Sequence, residues 1–292
     1  MKEKLIRLIE IIICLTIIFF LFYKPITPKK TESTFNEDNS FQIQFIDVGE
    51  ADSILIKSND EYILVDAGNN KDGKKLVKYF KELGITKFKY VIGTHPHEDH
   101  IGGLDYIIRE FDIDNFLMPD VKLDYLTYTE VIDNLNKKNI ELKIPSINDI
   151  FNLNDTVIKV LWLDNKEDIN DDSIVLKVIY KNTSFLLTAD ISKNVEIQLL
   201  DKDIKSDLLK VAHHGSQYST SAQFLKKVEP SFAVISVGKN NDYGFPKKIT
   251  LDKLNNLNIK TYRTDEQGTI IVSSDGDNIS FKTIKTDTNK ED

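Results

Sequence analysis

The stretch Tyr90-Val91-Ile92-Gly93-Thr94-His95-Pro96-His97-Glu98-Asp99-His100-Ile101-Gly102-Gly103-Leu104 decides how this chain is read. Residues 89–92 form a short, mainly apolar run that fits a strand, and the proline that follows keeps the backbone extended through Thr94, because the residue before a proline is disfavoured in the helical region. In an extended segment residues two apart point the same way, so His95 and His97 are placed to hold one metal ion together. Asp99 and His100 then fall on a tight turn, and Gly102-Gly103 is expected to turn the chain sharply into a helix beginning near Leu104. Imidazole and carboxylate without thiolate suit zinc, manganese or iron, and two such ions a few ångströms apart can share one activated water.

Ordinary histidines of a polar loop are the competing reading. It is hard to sustain, because the chain has five histidines and three lie within six residues here, while the other two, His213 and His214, are adjacent. Spacing of this kind carries a metal-site mechanism that a lone histidine would not.

The pattern His-x-His-x-Asp-His after a strand, with Gly-Gly following, resembles the metallo-β-lactamase superfamily of binuclear metallohydrolases. Further stretches resemble the hydrolase domain of the ComEC-type DNA-internalisation (competence) proteins: Phe45-Ile46-Asp47-Val48-Gly49-Glu50-Ala51-Asp52-Ser53, Val65-Asp66-Ala67-Gly68, His213-His214-Gly215-Ser216 and Tyr262-Arg263-Thr264-Asp265. The similarity covers residues 41–283, and several motifs in one order make it more specific than a single signature. It implies metal ligands at His95, His97, Asp99 and His100, with Asp190 bridging two ions, although an aspartate after a strand is often only a helix N-cap. The late histidine of the superfamily precedes a glycine, which maps it onto His214. His213 is then a neighbour that contacts substrate or serves as an acid, and a one-residue shift would exchange the two. Asp66 matches an aspartate that orients the metal loop through hydrogen bonds. Asp47 and Asp52 either do similar orienting work or contact substrate, with turn chemistry the plainer reading of both, and Ser216 and Lys239 are further candidate substrate contacts.

Before this region, Lys2, Lys4 and Arg7 precede an apolar run over residues 11–23 that, counted back through Leu5, is long enough to cross a bilayer as a helix. No small-x-small cleavage site follows, so an uncleaved anchor (1–23) is expected rather than a signal peptide, whose removal would leave a secreted protein. Basic residues flank the run equally, and the resemblance tips the orientation: a single-pass cell-membrane protein with its hydrolase domain extracellular. Cys14, the only cysteine, lies inside the run, so there is no intramolecular disulfide. Residues 24–40 are polar and read as a flexible tether, and 284–292 as a polar tail.

Residues 41–283 suit one domain with a good core. Strand-like runs at 41–47, 53–57 and 62–66 are followed by a helix over 73–83, in which Leu76, Val77, Phe80 and Leu83 recur at helical spacing. A helix over 104–111, a strand at 115–118 and a helix over 125–137 follow the metal loop. The second half repeats the theme: antiparallel strands at 157–162, 173–180 and 184–188, a helix over 193–200, and a strand at 208–212 that delivers His213-His214. A helix at 223–228, a strand at 232–237 and a helix at 249–257 precede the last strands. Periodicity supports a mixed α/β domain, and the resemblance implies the four-layer αββα sandwich.

Two departures from the ComEC-type pattern matter. No histidine lies between His100 and His213, so the central histidine of the first metal site is absent and Asn170-Asp171-Asp172-Ser173 occupies its region. The second ion is therefore expected to bind weakly or through oxygen ligands that favour manganese over zinc. In Tyr243-Gly244-Phe245-Pro246, Phe245 stands where the pattern usually has histidine, which is expected to slow turnover or change specificity.

The chain carries 38 Lys+Arg against 46 Asp+Glu; residues 1–30 hold six basic and two acidic residues, so the remainder is at −12. Such a body is a poor general nucleic-acid surface, and contact with a short strand end near Lys239, Lys247 and Lys248 suits it better than tracking along a duplex. The expectation is a metal-dependent hydrolase using an activated water, a phosphodiesterase or nuclease acting on DNA or another phosphodiester, with Asp99 steering the attack and His213 protonating the leaving oxygen. The alternatives are hydrolysis of a small ester, thioester or lactam, and a binding or scaffolding protein with a degenerate site.

Overall fold

The computed structural model describes residue 30 and residues 32–37, 40–120, 125–164 and 169–285. The expected anchor, residues 1–23, lies outside the described residues; among those described, no helix is long and apolar enough to cross a membrane.

Strand β2 (Ile54–Ser58) shows how the layers arise. Ile54 and Ile56 enter one core and Leu55 another. Side chains alternate along a strand, so a run with no polar face is a strand covered on both sides. β2 sits inside an eight-stranded sheet with β1 (Phe41–Phe45), β3 (Glu61–Val65), β5 (Tyr90–Ile92), β7 (Phe116–Leu117), β8 (Leu142–Lys143), β16 (Thr269–Ser274) and β17 (Ile279–Ile284), in the order β17-β16-β1-β2-β3-β5-β7-β8. The second sheet runs β15-β14-β13-β12-β11-β10-β9. Its strands are β9 (Ile150–Leu153), β10 (Thr156–Trp162), β11 (Val175–Tyr180), β12 (Thr183–Leu187), β13 (Leu208–Lys210), β14 (Phe232–Ile235) and β15 (Lys260–Arg263). β9 to β12 pair antiparallel, and β12 to β15 pair parallel.

One core lies between the sheets, where Phe41, Ile43 and Phe45 meet Val178, Phe185 and Val234, and the Phe41 ring stacks on Tyr180 at 4.7 Å. Helices α1 (Gly73–Glu82), α3 (Leu104–Glu110) and α4 (Leu126–Lys138) cover the outer face of the first sheet through Leu76, Phe80, Ile107 and Leu135. Helices α5 (Lys193–Leu199), α6 (Ala222–Val228) and α7 (Lys248–Asn256) cover the second through Leu199, Phe224 and Leu254. The expected helix–sheet–sheet–helix layering is thus present.

Several expectations shift. Asp99 and His100 stand in a four-residue helix, α2 (Glu98–Ile101), rather than on a turn. The strand expected at 208–212 ends at Lys210, and that at 115–118 shrinks to two residues. β4 (Lys87–Phe88), β6 (Asp112–Ile113), β8, β9 and the helix α8 (Thr264–Gln267) were not expected. Part of the expected tether is fixed: Glu32 bridges Ile279 of β17, the Glu32 carboxylate accepts from Lys260 and from Tyr262 Oη (3.0 Å), and Ser273 Oγ donates to Asn36 O (3.2 Å).

Gly102 and Gly103 also act differently from the expectation. Their φ values, −57° and −86°, are open to any residue, so no sharp turn requires glycine. They are needed for close approach: a Cβ on Gly103 would lie 2.3 Å from Ala67 O, and one on Gly102 2.3 Å from Asn70 N. Gly103→Ala is therefore expected to cost about 1–3 kcal/mol, since backbone cannot step aside as a side chain can, and to lower the thermal midpoint by several degrees. An unchanged midpoint would mean that α2 does not pack against this loop.

Candidate metal centre

The site forms where strands of both sheets end. At three of these ends a residue other than glycine adopts the left-handed region: Asp66 after β3 (φ 59°), Ala189 after β12 (φ 44°), and His213 and His214 after β13 (both φ 50°). Such backbone is held against its preference by its surroundings, and its clustering around one cavity marks a built site.

Asp66 is 1 % exposed and accepts from Thr94 N (2.8 Å) and Thr94 Oγ1 (2.7 Å). His100 Nδ1 donates to the same carboxylate (2.8 Å), which turns Nε2 towards Asp99 Oδ2 (3.7 Å) and Asp190 Oδ1 (3.4 Å). His214 is held the same way: Nδ1 donates to Ser236 O (2.9 Å), and Nε2 faces Asp99 Oδ2 (3.3 Å) and Asp190 Oδ2 (3.7 Å). An imidazole tied back at Nδ1 presents Nε2 as a ligand atom. One ligand atom each from Asp99, His100, Asp190 and His214 lies within 4.8 Å of the others, and neither His100 Nε2 nor Asp190 Oδ1 has a hydrogen-bond partner. Two imidazole nitrogens and two carboxylate oxygens converging on one buried point are the donor set of a divalent cation, so these residues fit one.

The second pair fits as well. His95 Nε2 and His97 Nδ1 are 3.1 Å apart, close to the ~3.3 Å separating two nitrogens that share one tetrahedral ion. His95 Nδ1 meets Ser173 Oγ at 3.3 Å, in the region where a third histidine is lacking.

Burial and neighbouring charges act against each other in the site. Burial disfavours the imidazolium of His100, but Asp190, Asp66 and Asp99 outweigh it and hold the pKa well above the usual histidine range. Burial likewise opposes charge on His214, yet Asp190, Asp99 and Asp52 push it up to about 9. Burial alone would raise the Asp190 carboxyl; the charges of His100 and His214 bring it well below the usual carboxylate range. His95, fully buried beside His100, is pushed well down and stays neutral.

Residues 46–239, about two thirds of the chain, match the model of the metallo-beta-lactamase superfamily. The chain belongs to that superfamily. Among curated proteins it is 27 % identical over 280 residues to ComE operon protein 3 of Bacillus subtilis, covering 88 % of this chain and 35 % of that protein. It is 23 % identical over 255 residues to competence protein ComA of Neisseria gonorrhoeae, covering 80 % of this chain and 32 % of that one. The chain thus spans about a third of the length of these relatives. The fold matches the metallo-beta-lactamase fold protein YhfI of Bacillus subtilis with a TM-score of 0.52 at 13 % identity, over 76 % of this chain and 95 % of that one.

Within this superfamily fold, a cavity of about 270 Å³ opens onto the cluster and is lined by His97, Asp99, Asp190, His213, His214, Glu50, Glu98, Asn170, Tyr243 and Phe245. His213 is 29 % exposed at its wall, with Nε2 3.7 Å from Asp190 Oδ2. The helix after Asp190 is capped by the Ser192 side chain, which accepts from Asn194 N, so Asp190 is not that cap.

None of the four expected substrate contacts is at the wall. Asp52, 1 % exposed, pairs with Lys210 Nζ at 2.7 Å. Ser216, also 1 % exposed, accepts from Tyr218 N (3.2 Å). The Asp47 carboxylate accepts from Gly49 N (3.3 Å), the turn chemistry of its plainer reading. Lys239 is exposed and does not line the cavity.

Sequence reasoning passed over Glu50, whose Oε2 accepts from Gly238 N (2.8 Å) and whose carboxyl burial pushes up, and it passed over Lys210. Lys210 carried a signal: it is the one charge in the apolar run Leu208-Leu209-Lys210-Val211-Ala212 before the histidines.

Proposed function

We propose that this superfamily hydrolase is a phosphodiesterase, a nuclease acting on single-stranded DNA or a comparable phosphodiester on the outer side of a membrane that its first residues anchor. One observation carries the reading: Asp99, His100, Asp190 and His214 converge with both imidazole Nε2 atoms facing carboxylate oxygens. The name of the gonococcal relative, a competence protein, supports a nucleic-acid substrate.

Asp99, His100, His214 and Asp190 would hold one divalent cation, and His95, His97 and Asp190 a second, with zinc and manganese both suited to nitrogen and oxygen donors. When bound, the pair supplies a nucleophile at neutral pH and offsets charge on the phosphoryl oxygen. The chain's residues do the rest. Asp66 and Ser236 O fix the ring directions, Asp99 orients the attacking water, and His213, at the cavity wall, gives a proton to the departing oxygen. With two imidazoles and no third histidine, the His95–His97 position is the weaker of the two.

The full chain in mild detergent, with its metal content measured, is expected to cleave labelled single-stranded DNA and a small phosphodiester in manganese, and His97→Ala to lose that cleavage. Metal bound without cleavage of either substrate would overturn the nuclease and favour a small ester, thioester or lactam. Absence of bound metal would favour the scaffold reading.

Metal uptake should also release protons. A cation at this site displaces the protons on His100 and His214, so affinity weakens as pH falls below about 9. Stability of the metal-free protein runs the opposite way: the raised His214 pKa stabilises fully below the unfolded value of ~6.5 and its contribution is lost as pH rises towards about 9. Calorimetric titration in two buffers of different ionisation enthalpy measures the release, and equal apparent enthalpies in both would contradict it.

A further inference from the structure

We propose that Tyr243 is an aromatic platform at the cavity mouth on which the base adjoining the scissile phosphate stacks, so that the enzyme selects unpaired nucleotides over base-free phosphodiesters. This rests on the phosphodiesterase reading above.

Tyr243 is 66 % exposed yet lines the cavity. Its ring is stacked on Phe245 (centroids 5.5 Å, planes 15° apart), and Phe245 meets His213 edge-on at 5.7 Å. One face of Tyr243 is therefore backed by another ring, the exposed remainder looks outward, and the pair leads to the proposed proton donor in two ring contacts. Tyr125 and Tyr218, also exposed, do not line the cavity.

The turn carrying the ring is pre-organised. Asn241 Nδ2 donates to Gly238 O (2.9 Å) and Phe245 O (2.8 Å), Asn241 Oδ1 accepts from Phe245 N (2.9 Å), and Lys247 Nζ donates to Tyr243 O (2.6 Å). A ring already fixed in place loses little freedom when a ligand stacks on it.

Charge explains the need for such a surface. Glu50, Glu98, Asp99 and Asp190 all line the cavity, and the body beyond residue 30 is at −12. Two divalent cations would offset about four of these charges at the scissile phosphate, and among the described residues no lysine or arginine lines the cavity to hold the flanking phosphates. Counterion release at so acidic a wall contributes little, whereas stacking on an aromatic ring is independent of the protein's charge and tolerant of sequence, because every base has a π-face.

The test compares kcat/KM of the manganese-loaded full chain on an oligothymidylate and on an abasic strand of the same length and charge. The wild type is expected to prefer the base-bearing strand by about 5- to 150-fold, the range of one base on one aromatic ring. Tyr243→Ala should bring that ratio close to one, mainly through KM, and Tyr243→Phe should retain it. Equal efficiency on both strands in the wild type, or a preference that survives Tyr243→Ala, overturns the platform and leaves the phosphodiesterase standing. Failure to cleave either strand overturns the phosphodiesterase, and the platform with it.

Discussion

Asp190→Asn is expected to lower metal-dependent hydrolysis by about 10³-fold or more and to reduce bound metal from two equivalents to one or fewer. Asp190 is 2 % exposed, and its two oxygens serve different partners: Oδ1 is 3.4 Å from His100 Nε2, and Oδ2 is 3.7 Å from both His213 Nε2 and His214 Nε2. Of the two carboxylates that face both His100 and His214, Asp190 is the more deeply set; Asp99 is 31 % exposed. Asparagine keeps the shape, removes the charge and replaces one acceptor by a donor that repels a cation. Loss of several kcal/mol of charge stabilisation corresponds to at least three powers of ten in rate. The metal-free form should suffer too, because the cations on His100 and His214 lose their shared counter-charge. Metal analysis, a melting curve without metal and single-turnover cleavage together check this. Full metal content and activity in the variant would return Asp190 to a structural role, with Ser192 still the cap of α5.

The metal loop was legible in the sequence because its information is local. A strand, two histidines two apart and a carboxylate–histidine pair fall within eleven residues, and rare residue types in close succession leave few other readings. Helices such as α1 were legible because apolar residues recur through a full turn and more, whereas β4, β6 and β8 are two residues long and carry no period. The choice between His213 and His214 was beyond the sequence because it depends on a hydrogen bond to Ser236 O, 22 positions away. The partner of Asp52 was hidden for the same reason. An aspartate in a turn-rich motif looks available to substrate, and only the fold brings Lys210, 158 positions on, against it. Phe245 was noticed as a missing histidine, but its stacking with Tyr243 depends on the turn that Asn241 closes.

Lys210→Met is expected to destabilise the protein by about 3–5 kcal/mol, the range for stranding one member of a buried ion pair. In a domain of this size that lowers the thermal midpoint by roughly 6–20 °C. Lys210 is 0 % exposed, and its Nζ donates to Asp52 Oδ2 (2.7 Å) and to Val211 O (3.2 Å); without it the Asp52 carboxylate, 1 % exposed, loses its partner. The pair joins the two halves of the molecule at the level of the metal centre. Lys210 ends β13 in the second sheet, three residues before His213. Asp52 lies between β1 and β2 of the first, with its N donating to Asp99 O (3.0 Å) and its O accepting from Gly68 N (2.8 Å). Asp52 Oδ1 also stands 3.8 Å from His214 Nδ1, so the pair helps set where that imidazole points. Replacing both residues separates the two roles. Asp52→Leu combined with Lys210→Met removes the stranded charge and should recover much of the lost stability, because apolar groups of similar volume substitute well for a buried pair. If the pair also positions His214, the double variant regains its melting temperature but binds metal about 10- to 100-fold more weakly than the wild type, the cost of losing a partner behind a ligand. A single Lys210→Met variant that melts within about 2 °C of the wild type would show that water or a neighbouring group satisfies Asp52 instead, and that the two sheets are held together at the site by packing alone.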